Sequence, residues 1–126
     1  MKYQYKLKNR KKSVWTICII ETNNNIFVNF SHYTKGLVCQ YSGGSVGMLG
    51  PKRKTPLSGE LIGKKIALEA SARGIRRMDI TVKGTFSGVV RGVLRGLSSK
   101  KLLFGRMAEI KGISHNGVRQ RKQRRL

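Results

Sequence analysis

The chain has 126 residues, with 27 Lys and Arg against 5 Asp and Glu, giving a formal net charge of +22. That length suits one domain with one modest core, and that charge makes a compact state repel itself until a polyanion neutralises it. Scattered acids (Glu21, Glu60, Glu69, Asp79, Glu109), two histidines (His32, His115) and two cysteines without CxxC spacing (Cys18, Cys39) argue against acid–base catalysis, a metal site, a cofactor or a small-molecule substrate.

Residues 1–12 read as a basic arm, 13–110 as the folded α/β domain, and 111–126 as a second basic arm. The first is Lys-rich and lacks the apolar run of a secretory signal or the Arg/Ser pattern of a transit peptide. No stretch approaches the roughly 20 apolar residues that span a membrane. The β-branched and aromatic run Val14 to Ile20 predicts a strand. Thr22-Asn23-Asn24-Asn25 predicts a hairpin turn, because Asn bonds its own backbone and tolerates left-handed angles. Ile26 to Ser31 is the second strand, Lys35-Gly36 a turn, and Leu37 to Ser42 the third strand. Cys18 and Cys39 fall within these apolar runs and are expected to be buried as small hydrophobes.

Gly43 to Pro51 is a glycine-rich loop ending in Lys52-Arg53-Lys54. Thr55-Pro56 then signals a helix, with Thr55 as N-cap and Pro56 at the first helical position. The helix is expected to run to about Arg73 and stop at Gly74. Leu61, Ile62, Ile66, Leu68 and Ala72 are its expected apolar surface. Gly59, Gly63 and Ala67 recur every four residues, a spacing expected to bring the helix backbone close to the sheet. Met78 to Lys83 predicts the fourth strand, Gly84 to Gly88 a second glycine loop, and Val89 to Leu97 a short helix. The last strand begins near Leu102 and ends at Ile110. Helical crossovers favour parallel pairing of the later strands, so the fold class is α/β, a mixed five-stranded sheet with packed helices.

Three groups carry anion-binding chemistry. Gly43, Gly44, Lys52, Arg53, Lys54 and Thr55 combine flexible backbone, cations and a helix N-terminus, an arrangement suited to phosphate. It is not a P-loop, since the GxxxxGK[ST] spacing is missing. Lys83 and Gly84 begin the second loop, and Arg91 and Arg95, four apart, share one face of the helix behind it. The tail holds His115, Asn116, Arg119, Arg121, Lys122, Arg124 and Arg125, whose cations can displace counterions from phosphates and whose guanidiniums can stack on bases. Asn24 and Asn25 at the hairpin tip carry weaker chemistry and are foremost turn formers. Asn116-Gly117 is also a pair prone to deamidation, because glycine leaves the attacking backbone nitrogen unshielded.

The ordered segments Asn24-Asn25-Ile26, Ser42-Gly43-Gly44-Ser45, Arg53-Lys54-Thr55-Pro56, Val82-Lys83-Gly84 and His115-Asn116-Gly117-Val118-Arg119, with the basic terminus Lys122 to Leu126, resemble the small-subunit ribosomal protein eleven family. The resemblance spans residues 13–126. It departs from the family at Gly84-Thr85-Phe86-Ser87-Gly88, where that family carries Gly-Pro-Gly-Pro-Gly-Arg. It departs again at Ser114 and Gln120, which replace prolines, and in an extra residue before Lys52. It implies a ribonuclease-H-like fold and binding of small-subunit ribosomal RNA on the platform. It also implies closeness to the messenger RNA exit path and neighbours of the protein seven, eighteen and twenty-one types. The departures, with the Lys, Asn and Ile content of an AT-rich genome, point to a mitochondrial ribosome, with a bacterial or plastid ribosome as the alternative. Two rivals remain, the first of them because the fold that the resemblance implies is ribonuclease-H-like. A nuclease would need clustered carboxylates, for which Glu21 and Asp79 at strand ends are the candidates. A general nucleic-acid binder outside the ribosome would use the same cations without selecting one RNA.

Overall fold

The computed structural model describes residues 15–84, 86–112 and 115–126. The basic arm 1–12, Val14, Thr85 and Ser114 lie outside the described residues. Five strands, β1 (Trp15–Glu21), β2 (Ile26–His32), β3 (Gly36–Ser42), β4 (Arg77–Lys83) and β5 (Leu103–Ile110), join two helices, α1 (Pro56–Ala72) and α2 (Gly88–Leu97). The sheet order is β3-β2-β1-β4-β5. The first three strands form an antiparallel meander, whereas β4 pairs parallel with both β1 and β5. This is the mixed five-stranded α/β arrangement read from the sequence.

Alternation sorts the strand residues. Ile17 and Ile19 of β1, Ile26, Val28 and Phe30 of β2, and Met78, Ile80 and Val82 of β4 share one face with Ile62, Ile66, Val90, Val93 and Leu97 of the helices in a single core. Both helices therefore cover the same face of the sheet. Trp15 stacks on Phe30, with ring centroids 5.1 Å apart, and closes one end of that core.

Thr55 caps α1 as expected: its backbone is extended and its hydroxyl accepts from the Ser58 N–H at 3.3 Å. Gly74 ends the helix at φ +72°, with Ile75 N–H bonded to Ala70 O and Gly74 N–H to Ser71 O. That pair of bonds is a Schellman stop, which favours glycine at the left-handed position. The expected apolar surface of α1 needs correction. Ile62 and Ile66 are fully buried, but Leu61 is half-buried, while Leu68 (56 % exposed) and Ala72 face solvent. The buried stripe runs through Ser58, Gly59, Ile62, Gly63, Ile66, Ala67 and Ala70. Successive residues turn by about 100°, so Leu61 and Leu68 fall off that stripe.

The glycines of α1 also meet a different neighbour from the one expected. A Cβ on Gly59 or Gly63 would come within 3.0 Å of the Val89 and Val93 carbonyl oxygens of α2, not the sheet. Gly92 and Gly96 of α2 answer them, each with no room for a Cβ against the carbonyl oxygens of Pro56 and Glu60. The two helices thus cross with their backbones in contact through four glycines. Cys18 and Cys39 are both free and half-buried rather than fully buried: Cys18 pairs with Asn29 on the sheet face away from the helices, and Cys39 pairs with Phe30 on the core face but lies on the edge strand β3. Burial, aided by Glu69 and opposed by Arg73, raises the Cys39 thiol pKa.

Candidate RNA interface

Strands β1, β3, β4 and β5 all run in the same direction, since β3 is antiparallel to β2, which is antiparallel to β1. Their C-terminal ends, Glu21, Ser42, Lys83 and Ile110, therefore lie along one edge of the sheet. The asparagine hairpin leaves from the first, the first glycine loop from the second, the second glycine loop from the third and the basic tail from the fourth. Gly84 N–H donates to Ile110 O at 2.9 Å, fixing the origin of the tail beside Lys83 and Gly84. Four segments separated in sequence meet at one place because parallel strands end together.

The helix crossing completes this edge. Gly92 rests on Pro56, so the N-terminal turns of α1 and α2 lie side by side. Glu21 sits between them, with its side chain 12 % exposed. One carboxylate oxygen pairs with Lys54 Nζ at 3.4 Å, and the other accepts from the Ser87 hydroxyl at 2.5 Å. Ser87 in turn caps α2 by accepting from the Val90 N–H. A single acid thus fixes the relative position of both glycine loops.

Asn25 performs a similar task. Its Oδ1 accepts from Ile26 N–H at 2.9 Å and from Gly43 N–H at 3.2 Å, tying the hairpin to the first loop. Gly43 is expected from the sequence to lend flexible backbone to phosphate binding, but its N–H is not presented to an anion. Gly43 is buried against the Arg53 backbone, where a Cβ would lie 2.6 Å from Arg53 O, and its N–H is already taken. The rest of the loop folds into two 3-10 turns, Gly44–Val46 and Gly50–Lys54, instead of an open cradle. Lys65 Nζ holds the first turn to α1 by donating to Ser45 O at 3.1 Å. Thr55 is likewise engaged within the protein, donating to Lys52 O at 2.9 Å.

Asn23, Asn24, Gly50, Pro51, Arg53 and Lys54 line a cleft of about 440 Å³. The structure therefore brings Asn24 together with the cations of the first loop. Arg53 Nε is held by Gly50 O at 3.2 Å, which presets the guanidinium at the rim. Exposed Lys52 and Lys83 extend the positive surface, and exposed Arg91 and Arg95 continue it along the outer face of α2. His115, Asn116, Arg119, Arg121, Lys122, Arg124 and Arg125 are exposed in a tail without regular structure, with Asn116 at φ 55°. Among the described residues, the tail is joined to this edge at its root, where Gly84 N–H meets Ile110 O.

Sequence reasoning missed Glu21, Ser87, Asn23, Gly50 and Pro51. Glu21 and Ser87 carry no local signal, because they are 66 positions apart and meet only through the parallel sheet. The two acids proposed for a nuclease are also separated. Asp79 lies opposite Thr16 near the start of β4, and its Oδ1 accepts from Arg106 N–H, whereas Glu21 closes β1. Five strand positions, about 17 Å, stand between them, so they cannot share a pair of ions roughly 4 Å apart.

Residues 16–125 match the family described as Ribosomal protein S11. Over 122 residues the chain is 34% identical to the small ribosomal subunit protein uS11 of Kosmotoga olearia, covering 94% of this chain and 93% of that one. Over 111 residues it is 33% identical to the small ribosomal subunit protein uS11c of Cyanidioschyzon merolae, covering 88% and 91% of the two chains. With the ordered loops, the mixed sheet and a match over nearly its whole length, the chain belongs to the ribosomal protein S11 family.

Proposed function

We propose that this chain is a non-catalytic structural constituent of the small ribosomal subunit, binding ribosomal RNA through the edge where the glycine loops, the asparagine hairpin and the tail converge. The observation that carries the reading is this convergence of Lys52, Arg53, Lys54, Lys83 and the root of a basic tail around one fixing carboxylate. Such a surface reads phosphate position and RNA shape, with Arg and His of the tail stacking on unpaired bases. Asn24, Arg53 and Lys54 line the cleft that takes RNA backbone, while Asn25, Gly43 and Thr55 hold its shape from within. Lys83, Gly84, Arg91 and Arg95 extend the contact on the other side of Glu21.

The finer placement follows the family. The chain sits on the platform near the messenger RNA exit path, beside neighbours of the protein seven, eighteen and twenty-one types. Its ribosome is mitochondrial, as the Lys, Asn and Ile content suggests; bacterial and plastid ribosomes are the alternatives. Sedimentation of fractionated native lysates, tracing this chain by mass spectrometry at moderate and high salt, tests the reading. Cosedimentation with the small subunit of one compartment is the expected result and names the ribosome. A chain found free, or spread over heterogeneous RNA, replaces this reading with that of a general nucleic-acid binder.

A further inference from the structure

Helix α1 is apolar on two sides, and the folded domain uses one of them. Leu57, Leu61, Leu68 and Ala72 follow one another at spacings of four, seven and four residues. Each residue advances the helix by about 100°, so the four fall within a sector about 60° wide, roughly opposite the buried stripe. Leu57 is 57 % exposed and Leu68 56 %, Ala72 is exposed, and Leu61 is half-buried. A single exposed leucine is ordinary on a protein surface. Leucines aligned at helical spacing along a helix of 17 residues, about 25 Å long, form the kind of seam by which one helix packs on another. Lys64 lies in the same seam, between Leu61 and Leu68, and completes its alternation of fours and threes.

Charge separates this face from the RNA edge. Glu60, Lys64, Lys65 and Glu69 flank or interrupt the seam, two acids against two bases in a chain of +22. All four already have partners within the protein. Lys64 Nζ pairs with Glu60 at 3.0 Å, and Arg73 with Glu69 at 2.9 Å. Lys65 Nζ donates to Ser45 O at 3.1 Å and lies 5.8 Å from the centre of the Tyr41 ring. A neutral apolar seam offers phosphate little and is stabilised by apolar cover. The side chain of Lys64 is 50 % exposed in mid-seam, and the chain around it carries a large positive excess, so a covering helix is favoured when it brings acids. We infer that the outer face of α1 docks an amphipathic helix of another protein, with large aliphatic residues over Leu57, Leu61 and Leu68 and an acid facing Lys64. The inference goes beyond RNA binding and does not need the ribosomal reading, because the partner is recognised by apolar surface and acid alone.

The test places a photo-crosslinking benzophenone side chain at Leu57 or at Ala72 of the full chain in its native particle. Attachment sites are mapped by mass spectrometry in whichever gradient fraction holds the chain, and matched thermal melts of these surface variants verify folding. The two probes stand 15 residues apart, about 22 Å along the helix. The expected result is attachment of both to one segment of one protein, at sites about 15 residues apart with acidic residues between them, as helices aligned to within about 20° require. Sites about 7 residues apart mean an extended segment and overturn the helix. Attachment to RNA, to unrelated segments or to nothing overturns the docking surface, and sedimentation of that same chain with the small subunit leaves the ribosomal reading standing. Helical attachments in a fraction free of ribosomal subunits support the docking surface and sink the ribosomal reading. Lys64→Glu should cut the attachment yield about tenfold or more, and Lys64→Arg should leave it unchanged. Equal yields from these two variants refute the acid opposite Lys64.

Discussion

Substituting Gly96 with alanine isolates the helix crossing that assembles the interface. On propensity alone the change stabilises α2 by about 1 kcal/mol. In this structure the new Cβ falls within 3.0 Å of the Glu60 carbonyl oxygen, the Gly63 Cα and the Lys64 nitrogen, all of them backbone atoms. No rotamer change can relieve that clash, so the helices must separate. Separation loosens the packing of Ile62, Ile66, Val93 and Leu97, which are all fully buried. Overpacking of this kind costs typically about 1–3 kcal/mol, and more where backbone is the obstacle. With three backbone atoms as the obstacle the cost lies at the upper end of that range, so after subtraction of the propensity gain a net loss of about 2 kcal/mol is expected. Urea melts of the full chain in high salt measure it, with Gly112→Ala as a control whose Cβ would meet nothing within 4 Å. The double variant Gly63→Ala/Gly96→Ala should lose less than the sum of its parts, because one added methyl already forces the helices apart. A Gly96→Ala protein as stable as the original, or more so, refutes the close crossing.

Four further outcomes follow. Removing Gly117 to Leu126 takes away Arg119, Arg121, Lys122, Arg124 and Arg125, so the salt slope of RNA binding should fall by up to about 4, at roughly 0.7–0.9 per lost phosphate contact; an unchanged slope means the tail touches no RNA. Glu21→Ala strands Lys54 and the Ser87 hydroxyl and should cost about 1–2 kcal/mol in a urea melt, whereas a neutral result would deny Glu21 its fixing role. Cys39 keeps its proton longer in the folded chain than in the unfolded one, because burial and then Glu69 raise its pKa. Unfolding therefore releases a proton just above the ordinary thiol range of about 8.5, and stability falls as pH rises through that window; urea midpoints should drop more steeply there for the natural sequence than for Cys39→Ser, and parallel profiles would exclude the thiol as the cause. Asn116, exposed at φ 55° before a glycine, should convert to isoaspartate in aged protein, and a peptide mass map showing only unmodified Asn116 speaks against it.

Much of this protein is written locally. The strands follow from β-branched runs, the start of α1 from Thr55-Pro56, its end from Gly74, and the polyanion partner from a charge of +22. The first three depend on residues a few positions apart and the last on composition alone, both of which sequence reading weighs directly. The ordered glycine, asparagine and tail segments also carry the family within the sequence itself. Tertiary structure decided the rest. Gly59 and Gly63 advertise a close approach, but only the packing shows that the partner is α2, through Gly92 and Gly96. Leu68 looks like core in its sequence, yet the helix is rotated so that Ser58 is buried and Leu68 is not. Gly43 reads as a free donor until Asn25, 18 positions away, takes its N–H. Arg76, Lys100 and Lys101 are ordinary surface residues in sequence and line one cleft only because β4 and β5 start side by side. The physical reason is common to all four: parallel pairing and helix crossing join residues whose separation along the chain holds no signal, and they set which groups are left for RNA and which are spent on the fold.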